Sequence, residues 1–131
     1  MPTSPGEKQS AARHLSWKRV EREQMSPSLV RQYVSAEKTT LARVELKKGC
    51  VVPQHSHENE QICYVMQGVL KFRMPNSEYV VRAGELLVIP PNLPHEAEAV
   101  EESVVFDFFS PARADWEAKQ DAYLRGPSKS K

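Results

Sequence analysis

Between Leu29 and Phe109 the chain alternates apolar and polar residues, and no helical stripe interrupts it. Leu29–Val34 and Thr39–Leu46 are β-branched or alternating runs of strand length. Six more follow: Gln61–Met66, Val69–Met74, Tyr79–Arg82, Leu86–Ile89, Glu96–Val100 and Val104–Phe109. Turn signals separate them, namely Gln67-Gly68, Pro75-Asn76-Ser77, Ala83-Gly84, Pro90-Pro91-Asn92 and Glu101-Glu102. Short strands at close spacing predict an all-β sandwich or barrel and argue against a parallel βαβ sheet. Helix is expected only near the end, where Asp115, Trp116, Ala118, Lys119, Ala122, Tyr123 and Leu124 follow a cap near Ser110-Pro111.

Composition sets the scale. The 131 residues suit one domain, able to bury roughly two-thirds of the surface its unfolded chain exposes. Eighteen Lys and Arg against 17 Asp and Glu leave a net charge of +1, which gives no reason to expect a nucleic-acid or membrane partner. The start, Met1-Pro2-Thr3-Ser4-Pro5-Gly6, lacks the apolar core of a signal peptide, so a cytoplasmic protein is expected. Cys50 and Cys63 form no CxxC and read as two small buried hydrophobes, with a Cys63 thiol near a site as the lesser option. The organisation expected is an arm over 1–25, loose in part or exchanged within a dimer, a barrel over 26–112, and a helix and tail over 113–131.

Three of the four histidines fall in two windows. His55-Ser56-His57 is an HxH, and residues two apart on an extended segment point the same way, so both imidazoles can meet one ion. Gln61 follows four residues on, and His95 comes after the stiff Pro90-Pro91-Asn92-Leu93-Pro94. Three imidazoles and an amide oxygen make a neutral ligand set for one divalent transition metal: Ni, Mn, Fe, Co or Zn. An isolated HxH is more often two surface histidines, and Gln61 alone carries no signal.

Flanking residues decide between these readings. Gly49, His55, His57, Gln61 and Gly68 resemble the first motif of the cupins, G(X)5HXH(X)3–4E(X)6G; Gly84, Pro90, Asn92, His95 and Ala99 resemble the second, G(X)5PXG(X)2H(X)3N. The resemblance implies a double-stranded β-helix, or jelly-roll barrel, with the metal inside one end. Three positions depart from the pattern. Asn92 stands for a glycine, and Asn tolerates the left-handed backbone. Ala99 stands for an asparagine outside the ligand set. Gln61 stands for a glutamate, so the metal keeps its full +2 charge, which favours Lewis-acid over dioxygen chemistry.

The His55-Ser56-His57-(X)3-Gln61 variant, together with Phe106–Trp116, is similar to the KdgF group of cupins, which linearise unsaturated uronates. That resemblance implies catalytic roles for Asp107, Phe109 and Arg113. Independently, Asp107 interrupts an apolar strand, where a lone carboxylate is expensive to bury unless paired with a cation or placed near a metal. Alternation puts Val105, Asp107 and Phe109 on one face. A strand-edge Asp paired with Arg113 or a surface lysine is the competing reading. Arg113 reads either as a solvated cation or as a bidentate clamp for a substrate carboxylate, and Phe109 as packing or the wall of a site. Arg43, Lys71, Arg73 and Tyr64 are further candidates for the lumen.

The function expected is a metal-dependent enzyme acting on a small anionic substrate such as a 4,5-unsaturated uronate. The alternatives are a cupin dioxygenase, an isomerase similar to the bacilysin-pathway cupin, or a non-catalytic sugar-binding barrel. The family resemblance also implies a homodimer.

Overall fold

The computed structural model describes residues 11–125. The first ten residues of the expected arm and the tail from 126 to 131 lie outside that range. Ten strands form two antiparallel sheets: β1 (Glu23–Ser26), β2 (Leu29–Ser35), β3 (Thr40–Leu46), β4 (Val51–His55), β5 (Glu60–Gln67), β6 (Val69–Met74), β7 (Ser77–Arg82), β8 (Leu86–Ile89), β9 (His95–Ala99) and β10 (Ser103–Ser110). The larger sheet runs β1-β2-β3-β10-β5-β8 and the smaller β4-β9-β6-β7. Their facing sides enclose the core, as a jelly-roll barrel requires. Among the described residues, no helix is long and apolar enough to cross a membrane.

All eight expected strands are present, two with the expected ends and the others with ends shifted by one or two residues. Two strands were not foreseen. β1 is short and polar, and becomes a strand only by pairing with β2. β4 contains Pro53, which cannot donate to a ladder. It is tolerated because β4 lies at a sheet edge and its register with β9 breaks between Val52 and His55.

Alternation sorts the side chains as read from the sequence. On β3 Thr40, Ala42, Val44 and Leu46 are buried, and on β10 Val105 and Phe109 are buried while Phe108 is exposed. The β5–β6 turn needs its glycine. Gly68 has φ 92°, and a Cβ there would run into the Ser103 side chain and the Glu102 carbonyl. Asn92 does adopt the left-handed conformation, at φ 65°, and its N–H donates to the His57 carbonyl at 2.7 Å.

The C-terminal helix is shorter than expected. α1 spans only Ala114–Glu117, starts from Arg113 and not from Ser110-Pro111, and ends before Lys119 at φ 63°. A single 3-10 turn, Ala122–Leu124, follows. Tertiary contacts shape this segment more than helical periodicity does. Trp116 is buried against Tyr33 and Phe109, and Asp121 is buried against Arg31.

Candidate metal centre

β4 and its following loop deliver His55 and His57, and β9 begins at His95. Cross-strand pairing of β4 with β9 sets His55 opposite His95. One ligand nitrogen from each of the three histidines lies within 4.8 Å of the others. The rings pack at centroid distances of 4.3 Å (His55–His95), 5.1 Å (His57–His95) and 5.5 Å (His55–His57).

Backbone carbonyls settle which nitrogen is free. Nδ1 of His55 lies 2.9 Å from the Pro53 carbonyl, Nδ1 of His57 3.0 Å from that of Asn59, and Nδ1 of His95 2.8 Å from that of Leu93. A carbonyl can only accept, so in the neutral rings of His55 and His95 Nδ1 carries the proton and Nε2 keeps a lone pair, and the His57 tautomer that bonds Asn59 does the same. Burial drives His55 and His57 down to about 4 and lowers His95, with Arg113 and the neighbouring imidazoles adding to the effect on His55 and His57. The three rings are therefore neutral near pH 7, the state a metal ligand requires.

Gln61, buried on β5, stands beside the three histidines and could add an amide oxygen to them. Its Nε2 donates to Asp107 Oδ1 at 2.9 Å, which turns Oε1 toward His57 Nε2 at 3.1 Å. The pair is satisfied either by a proton on His57 Nε2 or, with that nitrogen unprotonated, by a cation that both atoms ligate. This donor set fits a divalent first-row transition metal and supplies no anionic ligand of its own.

Asp107 lies opposite Cys63 of β5 and points into the same cavity, as alternation predicted. Burial raises its carboxyl above the ordinary range, against the opposing pull of hydrogen bonds from Gln61 and Cys63 and the charge of Arg113. Cys63 is fully buried in the core, as expected of a small hydrophobe, and also lines the cavity.

Arg113 is not a solvated cation: its side chain is 1% exposed. Nε and Nη2 grip Asp115 at 2.8 and 2.7 Å, and Nη2 also donates to the Tyr123 hydroxyl at 2.7 Å. Among the described residues its Nη1 has no hydrogen-bond partner. The guanidinium lies 4.6 Å from the Phe109 ring centre and 4.4 Å from that of Trp116. Phe109 in turn meets His57 edge-on at 5.7 Å, so it is the wall between cation and ligand set.

The other lumen candidates do not reach this cavity. Arg73 joins Glu78, Glu96 and Glu98, Arg43 pairs with Glu45, and Tyr64 is exposed. Lys71 does not line it either. Two positions that sequence reasoning missed support the site. Asn59 donates to the carbonyls of Pro111 and Ala112 at 2.6 and 3.2 Å, tying the histidine loop to the Arg113 loop. Tyr123 stacks on His55 at 4.3 Å. Neither residue carries a motif signal, because each acts through a contact distant in sequence.

Two sheets enclosing three histidines and a glutamine at one end define a single-domain cupin. The cupin domain matches residues 42–109, and the chain belongs to that family. It is similar to the pectin degradation protein KdgF of Dickeya dadantii (strain 3937), 32% identical over 75 residues that cover 56% of this chain and 68% of the relative. The solved structure of KdgF from Halomonas sp. superposes with a TM-score of 0.70 at 28% identity, covering 76% of this chain and 94% of that one. An RmlC-like cupin from Shewanella frigidimarina NCIMB 400 gives 0.74 at 27% identity, over 80% and 96% of the two chains.

Proposed function

We propose that this chain is a metal-dependent enzyme that opens a 4,5-unsaturated uronate to its linear keto form. The observation that carries this reading is Gln61, which joins the histidine cluster to Asp107 in one cavity that Arg113 also lines. The similarity to a pectin degradation protein supports the substrate class.

His55, His57, Gln61 and His95 hold one divalent metal, which when bound supplies a Lewis acid for substrate oxygens. Arg113 holds the substrate carboxylate, and Phe109 walls the ring. Asp107, its carboxyl favoured in the protonated form by burial, donates a proton to ring carbon C4. The C1–ring-oxygen bond breaks, a ketone forms at C5 and an aldehyde at C1. The proton of the C1 hydroxyl passes to Asp107, so the product is an isomer and no redox partner is needed. The barrel over 26–112 supplies the ligands and the acid, and 113–131 supplies Arg113.

Loss of the conjugated double bond lowers ultraviolet absorbance, which provides the assay. Purified protein whose metal content is measured in the same sample is expected to speed that loss, and a chelator to abolish the effect. Decay at the spontaneous rate with one metal bound per chain would rule out this substrate.

We further propose a cytoplasmic homodimer. The outer face of the larger sheet carries two apolar rows in register, Leu41–Phe108–Ile62–Val88 and Phe106–Tyr64–Leu86, with Val88 and Leu86 58% and 60% exposed. An apolar face of this extent suits a second copy of the chain. Sedimentation is expected to give twice the chain mass, and Val88→Glu to give the monomer. A monomeric wild type at micromolar concentration would refute the assembly.

A further inference from the structure

The cavity is small for the substrate class just proposed. It measures about 60 Å³, whereas pockets for small molecules start at roughly 300 Å³. The segment after α1 lies between this cavity and solvent, with Tyr123 and Leu124 only partly buried. Tyr123 and Leu124 line the cavity, Tyr123 lies flat on His55, and the segment falls outside the residues that match the cupin domain.

The phenol also sits where a carboxylate belongs. A guanidinium grips a carboxylate through a pair of N–H groups on one edge. On Arg113 the edge made by Nε and Nη2 is taken by Asp115. The remaining edge is Nη1 with the second Nη2 proton, and that proton goes to the Tyr123 oxygen at 2.7 Å. Trp116 Nε1 donates to the same oxygen at 3.1 Å, so the hydroxyl is held as an acceptor from two sides. One substrate oxygen and the Tyr123 oxygen therefore compete for one donor.

We infer that Tyr123 is a specificity-determining residue of this site: it plugs the mouth and stands in for a carboxylate oxygen on Arg113. A uronate-sized anion enters only by displacing it. The ligand class rests on the proposed function; the plug does not. The segment that moves is short. It pivots behind Asp121, which stays bound to buried Arg31 at 2.9 Å, and the bonds that shape its tip run from Leu124 N–H to Asp121 and from Arg125 N–H to Ala122.

The two cysteines of the chain report on the plug without any ligand. Cys63 lines the cavity, and Cys50 is buried elsewhere in the core. Methyl methanethiosulfonate labelling, read site by site by mass spectrometry, separates opening of the mouth from global unfolding. Tyr123→Ala is expected to label Cys63 about tenfold faster with Cys50 unchanged, and Tyr123→Phe, which keeps the stacking but frees Arg113, to fall between. An unchanged Cys63 rate, or equal acceleration at both thiols, overturns the plug.

Calorimetric titration with D-galacturonate, a saturated uronate, tests the competition. Tyr123→Ala is expected to bind about tenfold more tightly than wild type, because no plug has to be displaced. Weaker binding would make Tyr123 a wall that contacts ligand and would sink the inference. Faster Cys63 labelling with galacturonate bound by neither form upholds the plug and refutes the uronate reading.

Discussion

Asp107→Asn is expected to lower turnover of the unsaturated uronate by about 10²–10⁴-fold, the range spanned by a positioned general acid or base. The amide has the same shape but cannot deliver the proton to C4. Its Oδ1 still accepts from Gln61 Nε2, so Oε1 of Gln61 stays turned toward His57 and the ligand set is preserved. Metal content is therefore expected to match wild type, and KM to change little because Arg113 is untouched. Asp107→Ala removes that acceptor as well and should lose metal along with activity. Steady-state rates and metal analysis on the two variants together distinguish a proton donor from a residue that only orients Gln61. Wild-type turnover in Asp107→Asn would eliminate Asp107 as the acid.

The largest stability effect is expected at the opposite side of the same segment. Arg31 and Asp121 are each 1% exposed and bond at 2.9 Å across 90 residues of sequence. Arg31 also reaches Glu23, but its Nη1 is buried without a partner among the described residues, so the cation leans on Asp121. Removing one member of a buried pair costs roughly 3–5 kcal/mol, because the other charge is left in a poorly hydrated place. Asp121→Asn is accordingly expected to lower the melting temperature by on the order of 10 °C. Lifting of the segment caps the loss, since water then reaches Arg31.

The pH dependence follows from the same pair. Burial pushes the Asp121 carboxyl up, but the hydrogen bonds and charges of Arg125 and Arg31 prevail and hold it below its ordinary value of 3.8. A folded-state value below the unfolded one contributes stability that is fully present above pH ~4 and is lost as pH falls through the lowered value. Wild type should thus lose stability in acid more steeply than Asp121→Asn. Parallel melting curves from pH 7 down to pH ~3 would remove the pair from the account.

The strand pattern was legible because alternation is a local property. Val105, Asp107 and Phe109 face the lumen as read, and Leu86–Ile89 and Val69–Met74 form strands with the expected ends. β1 and β4 were not legible. A four-residue polar segment and a proline-bearing one become strands only when a neighbour supplies the pairing. The helix is shorter than its periodicity predicts, since the apolar residues from Trp116 to Leu124 follow a helical rhythm but Trp116 and Tyr123 are drawn instead to Tyr33, Phe109 and His55.

By itself the sequence determined an all-β sandwich or barrel, since strand periodicity acts over a few residues, and the resemblance of its two motifs to those of the cupins singled out His55, His57, Gln61 and His95. Tertiary structure decided the rest. It turned Gln61 by way of Asp107, buried Arg113 between Asp115 and two aromatic rings, and laid Tyr123 on His55. Those outcomes depend on register between strands and on the path of the chain after β10. Neither is encoded in local spacing, because the contacts join residues that only the closed barrel brings within bonding distance.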